Sequence, residues 1–585
     1  MLSYRKLAMR VLGRPLHTGG GIDSPRPASQ RAAALVLTAA MLTTFTAPAF
    51  AKTWYIEDGD ITISASETKG TNKVSQGAEP EVEDTGTIIT NREKDASSHT
   101  VTINAGNDKV EVTLDNVNIK ADSGSALISK GDVTLTLKGD NHLTGGNGGS
   151  SSYGGDGITS SGSLTISGGT VTATGGDSTS SVGSGGSGIY SVSGDVTISG
   201  GTVNANGGDG KNGSGGGSGI DSSGGVTVSG GTVTANGGDS KDGDGGSGGY
   251  GISSSGVAIS GGTVTANGGD GGSGSGSHGG NGIYSSGGVT ISSGSTVTAN
   301  GGDGEDGSGG RGITSNGGVT VSGGTVNAKG GSGKNGNGGD GIRSFNPVAI
   351  SGGTVNANGG NSDYSNGGDG IRSLDHVAIS GGTVKSNGGS GNLSGGNGII
   401  SYDIDLSGSL ELTAKAGSPN GKALSRVGSE LDLNTIKDKL DPGAKVTATD
   451  ADGKVIQQVS IPRPVEPEEP SSSSDSGSAT PSAPASFLPG LTVTDKDGQR
   501  ISYTSTQSGN TLTVCVGRFT ASLRISLAAL RQLRAEGIET ITFQTILCST
   551  TLSVDELLAM GGEDAEVVLT HHIRSSTLTV GVKAV

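Results

Sequence analysis

Residues 196–209 read VTISGGTVNANGGD and residues 226–239 read VTVSGGTVTANGGD, so one pattern recurs almost unchanged. The valine of its Thr-Val-x-Ala unit falls at positions 171, 203, 233, 264, 297, 326, 355 and 384, and successive valines are 29 to 33 residues apart. A nearly fixed period of this length is the signature of a solenoid or another repeat architecture. The repeat therefore predicts a fold built from stacked, equivalent units.

Each repeat contains three short pieces in which apolar and polar residues alternate, as they do in a strand with one buried face. The pieces read Gly-Ile-x-Ser, Val-x-Ile-Ser-Gly and Thr-Val-x-Ala-Asn, for example at residues 188–191, 196–200 and 202–206. Glycines supply positive φ at the corners between them. Three strands in about 30 residues, closed by a glycine-rich loop, predict one coil of a parallel β-helix.

Successive coils of such a helix place equivalent residues above one another, about 4.8 Å apart. We therefore expect interior ladders, because a single coil cannot bury its apolar face and a stack can. The isoleucine ladder comprises Ile158, Ile189, Ile220, Ile252, Ile283, Ile313, Ile342, Ile371 and Ile399. The alanine ladder comprises Ala173, Ala205, Ala235, Ala266, Ala299, Ala328 and Ala357. Side-chain amides are expected to bond along Asn206, Asn236, Asn267, Asn300, Asn358 and Asn387.

The composition excludes some function classes. The chain has 585 residues, 114 of them glycine, and only 30% are hydrophobic, so a conventional globular core is not expected for most of it. The formal net charge of -16 argues against nucleic acid, which requires a basic surface, and against anionic membrane surfaces. A disordered Gly/Ser chain is the alternative, but disorder predicts no fixed spacing of valine and isoleucine.

The composition also divides the chain. We predict a signal peptide at 1–51, an N-terminal cap with the first coils at 52–152, and regular repeats at 153–402. Residues 403–460 form the last coils or the C-terminal cap, and the Pro/Ser/Glu-rich segment 461–489 is a linker. Residues 490–585 form a separate small α+β domain, with helices that begin near Ser526 and Ser553.

The N-terminal segment has the features of an export signal. A basic stretch ends at Arg31, an apolar run follows, and the Ala-x-Ala pattern at 49–51 would leave Lys52 as the first mature residue. An uncleaved anchor is the alternative, although the apolar run is short for a membrane span. We expect a protein outside the cytoplasm, with no membrane insertion after cleavage. There Cys515 and Cys548 can either pair as a disulfide or remain free thiols.

Three segments resemble a known family: VTLDNVNI at 112–119, SALISKGDVTLTL at 125–137 and GITSSGSLTISGG at 157–169. They are similar to bacterial carbohydrate-binding proteins with a right-handed parallel β-helix, and to glycine-rich repeat surface proteins of gut Firmicutes. The resemblance covers about residues 54–415. It implies an all-β, secreted or surface-attached, non-catalytic protein that binds plant-type polysaccharides, acidic ones included, with calcium.

The outward position of the Gly-Ile-x-Ser piece is the candidate carbohydrate-binding surface. It varies while the flanking residues do not, and it reads Thr159, Tyr190, Asp221, Ser253, Tyr284, Thr314, Arg343 and Arg372. Tyrosine can stack on a sugar ring, and arginine can bind the carboxylate of a uronic acid bidentately. We name Tyr190, Asp221, Tyr284, Arg343 and Arg372 as candidates; the alternative is an ordinary exposed strand face.

A row of aspartates is the candidate calcium site. Each lies six residues after the repeat valine, and the row comprises Asp177, Asp209, Asp239, Asp270 and Asp303. Carboxylates stacked at coil spacing repel one another unless cations bridge them, and Ca²⁺ prefers such oxygen-rich loops. The alternative is a solvated row of charges that keeps the edge soluble.

The sequence therefore predicts a polysaccharide-binding protein, with host or cell-wall components as further partners. A structural adhesin or stalk that contacts host protein or mucin is the alternative from another class. The histidines are scattered, and no pair of carboxylates in the pattern of a glycosidase stands out, so we expect no enzyme. Ice binding by outward threonines is disfavoured by the asparagines at positions 204, 327 and 356.

Overall fold

The computed structural model describes residues 52–149, 153–179, 183–241, 245–274, 276–462 and 491–582, the last range with gaps at 496–498, 502, 509, 517, 519, 546–548, 561–564 and 572–575. The signal peptide at 1–51, nearly all of the linker, and Cys548 lie outside the described residues. None of the helices within these ranges is long and apolar enough to cross a membrane.

The predicted parallel β-helix is confirmed: strands of each coil pair in parallel with the equivalent strands of the next, through about 13 coils. We call the sheet of Ile-x-Ser strands the first face, that of Val-x-Ile strands the second face, and that of Thr-Val-x-Ala strands the third face. Several strands turn a corner and belong to two faces. The strands of the regular coils are Ile158–Ser161, Leu164–Thr174, Ile189–Ser193, Val196–Ile198, Thr202–Asn206, Ile220–Val228, Thr232–Asn236, Ile252–Ile259, Gly262–Asn267, Ile283–Ser285, Val289–Ile291, Ser295–Asn300, Ile313–Ser315, Val319–Val321, Thr325–Lys329, Ile342–Ser344, Val348–Ile350, Thr354–Asn358, Ile371–Ser373, His376–Ile379, Thr383–Asn387, Ile399–Ser401, Asp403–Leu406 and Glu411–Lys415.

Antiparallel strands occur at both ends of the solenoid, where no further coil covers the core. At the N-terminal end Ile61–Ala65 pairs antiparallel with Asn72–Gln76. At the C-terminal end Lys445–Thr449 pairs antiparallel with Val455–Ser460. The remaining strands of these ends are Thr53–Tyr55, Val82–Asp84, Ile88–Thr90, Val101–Asp115, Asn118–Lys120, Leu127–Thr144, Leu424–Arg426 and Ser429–Glu430. The ends also contain the 3-10 helices Ile56–Asp58 and Leu433–Lys439. Among the regular coils, Gly210–Lys211 and Ser240–Lys241 form a separate two-stranded ribbon.

The predicted ladders form the interior. All nine isoleucines of the first face are fully buried, and the alanines of the third face stack in register from coil to coil. The amide ladder is present too: Asn236 Nδ2 donates to Asn206 Oδ1 at 2.8 Å, and Asn267 Nδ2 donates to Asn236 Oδ1 at 2.8 Å. One hydrophobic core thus extends along the solenoid axis, from Trp54 to Val459.

The glycine-rich loops are ordered by contact between backbones. Gly360 N donates to Gly339 O at 2.8 Å, and Gly368 N donates to Gly360 O at 2.8 Å. A Cβ at Gly360 would lie 1.9 Å from Gly331 O of the preceding coil. We expected positive φ at the corners, and Gly353 has it, with φ of +78°. Gly360 is glycine for another reason: the backbones of neighbouring coils approach too closely there to leave room for a side chain.

The C-terminal unit has its own core and is confirmed as a small sheet-rich domain. The chain forms two compact units, and the C-terminal unit begins at residue 467. Its helices are Leu527–Ala535 and Val554–Ala559, capped by the hydroxyl oxygens of Ser526 and Ser553. Its two four-stranded sheets comprise Leu491–Thr494, Ala521–Ser526, Ala565–His571 and Ser576–Val582 in one, and Thr504–Ser508, Thr511–Cys515, Thr540–Gln544 and Ser549–Ser553 in the other. The pairing of Cys515 with Cys548 stays a prediction.

Candidate functional site

The five candidate carbohydrate-binding residues share one outward column of the first face. Strand register places Tyr190 beside Asp221 and Arg343 beside Arg372, each pair on neighbouring coils. Ser253 stands between Asp221 and Tyr284, and Thr314 stands between Tyr284 and Arg343. The column spans six coil steps from Tyr190 to Arg372, which is about 29 Å at strand spacing.

A second column lies beside the first, formed by the residue that precedes each Gly-Ile pair. It comprises Asp156, Ser187, Ser218, Tyr250, Asn281, Arg311, Asp340, Asp369 and Asn397. Its acidic and amide side chains accept a hydrogen bond from the backbone of the next coil. Asp369 N donates to Asp340 Oδ1 at 2.9 Å, and Asn397 N donates to Asp369 Oδ1 at 2.6 Å.

The two columns enclose a charged cavity of about 150 Å³. Three guanidinium groups and two carboxylates line it: Arg311, Arg343 and Arg372, with Asp340 and Asp369. Arg311 Nε lies 3.4 Å from Asp340 Oδ2, and Arg372 Nη1 lies 3.3 Å from Asp369 Oδ2. Arg343 Nη1 is 3.7 Å from Asp340 Oδ2. The carboxylates are the buried members, with side chains 8% and 7% exposed, so they hold the more accessible arginines in place.

Burial also changes the acidity of this cavity. Removal from water and the charge of Asp340 raise the pKa of Asp369 to about 6. Burial and the positive charge of Arg311 lower the pKa of Arg343. The guanidinium stays charged in proteins, whereas Asp369 changes its charge near neutral pH.

Two hydrogen-bond donors of the cavity are unused within the described part of the chain. The Nε–H groups of Arg343 and Arg372 are buried and have no acceptor there. A buried donor without an acceptor costs free energy, and each unsatisfied group therefore calls for an explanation.

A second cavity of about 310 Å³ adjoins the charged one, and Arg311 lines both. Tyr250 and His278 contribute ring surfaces to it. The Tyr250 ring stacks on that of Tyr284, with centroids 5.4 Å apart and planes at 18°. We call the Tyr250–Tyr284 pair, the two cavities and the three arginines the lateral groove.

The sequence predicts part of this groove. The predicted site residues include Tyr284, Arg343 and Arg372 but not Tyr250, Arg311, Asp340 and Asp369, which stand in the second column. Tyr190 and Asp221 lie on the same face, further toward the N terminus. The omitted residues carried the same signal as the first column, namely variation beside a constant Gly-Ile pair.

The aspartate row forms a ladder between coils. Each carboxylate accepts a hydrogen bond from the backbone N–H of the equivalent residue one coil later. Asp209 N donates to Asp177 Oδ1 at 3.0 Å, Asp239 N to Asp209 Oδ1 at 3.0 Å, Asp270 N to Asp239 Oδ1 at 2.9 Å and Asp303 N to Asp270 Oδ1 at 2.7 Å. Lys241 pairs with Asp209, so cationic side chains also offset part of the charge. Burial and the neighbouring carboxylates raise the pKa of Asp270.

Calcium at this row stays a prediction. Among the residues that the structure describes, no three His, Cys, Asp or Glu side chains are grouped so that they could hold a metal ion. One oxygen of each carboxylate is bound by the backbone, and the other is available to solvent, a lysine or a cation.

The comparisons with known proteins agree with the fold. Residues 164–188, 196–218, 257–281 and 348–371 match a family described as a beta helix repeat. No curated protein and no solved structure matches the chain. The repeat match agrees with the parallel pairing of successive coils, and the beta-helix fold occurs in both enzymes and non-enzymes.

Proposed function

We propose that this chain is a secreted or cell-surface protein that binds acidic polysaccharides in its lateral groove. The observation that carries the proposal is the alignment of Arg311, Arg343 and Arg372 on three consecutive coils, over buried carboxylates that hold them. Arginine binds carboxylate in a planar, bidentate geometry. A uronic acid polymer that lay along the solenoid axis would place successive carboxylates along this row.

The aromatic pair supports a sugar as the ligand. Tyr250 stacks on Tyr284 and, with Arg311, lines the adjoining cavity. Aromatic rings are amphipathic surfaces suited to the apolar faces of sugars. The chain as a whole is acidic, so the cationic row is a local feature that would select the position of an anionic ligand.

We place the protein among binding proteins rather than enzymes. All four carboxylate oxygens of Asp340 and Asp369 are engaged by the chain itself, through backbone N–H groups, the Asn397 amide and the arginines. A general acid or base must be within reach of the substrate atom that it protonates or deprotonates. Prolonged incubation with polygalacturonate should therefore produce no new reducing ends and no unsaturated product.

Binding is tested by affinity electrophoresis and calorimetry with polygalacturonate, and with the same polymer after complete methyl esterification, which removes its charge. We expect the acidic polymer to bind and the neutral ester to bind far more weakly. Arg343→Ala and Arg372→Ala should each weaken binding about tenfold or more, because each removes charge-assisted hydrogen bonds.

The matched control is Lys385→Ala, which removes an exposed positive charge from the third face. Its affinity should equal that of the unaltered protein. If the double variant Arg343→Ala/Arg372→Ala binds polygalacturonate as tightly as the unaltered protein does, the groove is not the site. Binding to mucin or host protein, with none to any glycan polymer, would instead favour the adhesin.

A further inference from the structure

An apolar cavity of about 260 Å³ continues the lateral groove toward the C terminus. Leu374, Ile400, Tyr402 and Val427 provide its apolar surface. Arg372 lines this cavity as well as the charged one, so the two are contiguous. The Tyr402 and Val427 residues are 66% and 70% exposed, which leaves their apolar surface free to contact a ligand.

Val427 occupies a backbone conformation that disfavours valine. Arg426 pairs with Ser429, so Val427 and Gly428 form a two-residue hairpin loop, and their φ angles are +49° and +78°. Positive φ at both positions defines a type I′ turn, in which Asn-Gly is strongly preferred. For a β-branched residue such a φ is an outlier. The chain therefore retains an apolar side chain here at the expense of backbone stability.

The size and lining of the apolar cavity suit one substituted aromatic ring. A closed cavity of about 150 Å³ accommodates benzene, and this one is larger and open at one side. The Tyr402 ring offers a stacking surface and the Arg372 guanidinium can lie over an aromatic face. Ser373, Ser401 and Gly428 complete the lining.

We propose that the apolar cavity binds an aromatic ester group carried on a hydroxyl of the acidic polysaccharide whose carboxylates occupy the charged cavity. This inference rests on the proposed function, since Arg372 would hold the carboxylate beside the esterified sugar. The ligand class thereby becomes an aryl-esterified polyuronate rather than a plain one.

The test compares calorimetric binding of oligogalacturonate with that of the same oligomer bearing a benzoyl ester on a hydroxyl, using the full chain. We expect the benzoylated oligomer to bind about tenfold more tightly, as burial of an aromatic ring implies. Val427→Asn should abolish this gain while raising the melting temperature, because asparagine suits the turn. A folded, more stable variant that loses only the ester preference separates ligand contact from misfolding.

The control is Val455→Asn, which alters an exposed valine at the start of the strand Val455–Ser460, and it should leave the ester preference unchanged. If plain and benzoylated oligomers bind the unaltered protein equally well, the inference is overturned and the proposed function stands. If neither oligomer binds, the proposed function falls as well. A concentration-dependent dimer in sedimentation experiments that Val427→Asn dissociates would overturn the inference too, by assigning the patch to a second copy of the chain.

Discussion

At the scale of single residues, the aspartates and the arginines of the charged cavity have different roles. Asp340 and Asp369 are buried and fully engaged, whereas the arginines that they hold are exposed enough to meet a ligand. When both are ionised, the two carboxylates neutralise two of the three guanidinium charges, so the cavity keeps a net positive charge. Protonation of Asp369 would increase that positive charge.

The raised pKa of Asp369, about 6, makes binding depend on pH. As the pH falls from 7 to 5, Asp369 gains a proton and ceases to compete for Arg372. Ligand carboxylates with a pKa of about 3.5 stay ionised over this range. Affinity for polygalacturonate should therefore rise severalfold between pH 7 and pH 5, as measured by calorimetry at constant ionic strength.

Asp369→Asn provides the control, because the amide oxygen can still accept from the Asn397 backbone while the charge is gone. This variant should bind more tightly at pH 7 and show little change down to pH 5. Stability should follow the same group: between about pH 4 and 6 the native state keeps a proton that the unfolded chain has lost, so stability falls as the pH rises. Affinity that stays flat or declines on acidification of the unaltered protein would contradict the assignment.

At the scale of elements, strands were predictable and loops were not. Apolar and polar residues alternate around Ile342 and Val355. This pattern predicts which side chains enter the core, since successive side chains of a strand point to opposite faces. The position of Asp340 follows instead from the backbone of the glycine-rich loop that precedes it. Loop length varies between repeats, and the approach of Gly360 to Gly331 depends on the coil before. Such contacts join residues far apart in sequence, and a local pattern does not encode them.

The aspartate ladder leads to a prediction about the loops. Asn147 and Asn361 occupy the same position and accept from the next coil in the same way, at 3.0 and 2.9 Å, so the acceptor oxygen matters more than the charge. Asp239→Ala should lower the free energy of unfolding by about 1 kcal/mol, the value of one hydrogen bond. Asp239→Asn should not, as measured by denaturant unfolding.

Calcium gives this pair of variants a second readout. If Ca²⁺ bridges the row, it should raise the melting temperature of the unaltered protein, and Asp239→Asn should reduce that shift because it removes a carboxylate. No heat of binding and no shift would remove calcium from the proposal, while the ladder would remain. Equal destabilisation by alanine and asparagine would show instead that the charge, not the acceptor, stabilises the loops.

At the scale of the whole molecule, two hydrophobic cores share no member. One extends from Trp54 to Val459 along the solenoid, and the other joins Leu491 to Leu569 in the C-terminal unit. The stability of a solenoid is the sum of the stabilities of its repeats and of the contacts between neighbouring repeats. A small two-sheet domain instead unfolds as one cooperative unit. Each unit has the buried apolar surface that an independently folding domain requires.

We therefore expect scanning calorimetry of the full chain to show separate transitions, each reproduced by residues 52–462 or 491–585 alone. The fragment 52–462 contains the whole lateral groove and should bind polygalacturonate with the affinity of the full chain. The fragment 491–585 should bind none and serves as the control. A single shared transition, or a solenoid fragment that binds more weakly than the full chain, would show that the C-terminal unit contributes to folding or to the site. Equal affinities would place carbohydrate recognition in the stacked coils and leave the C-terminal unit free for another role.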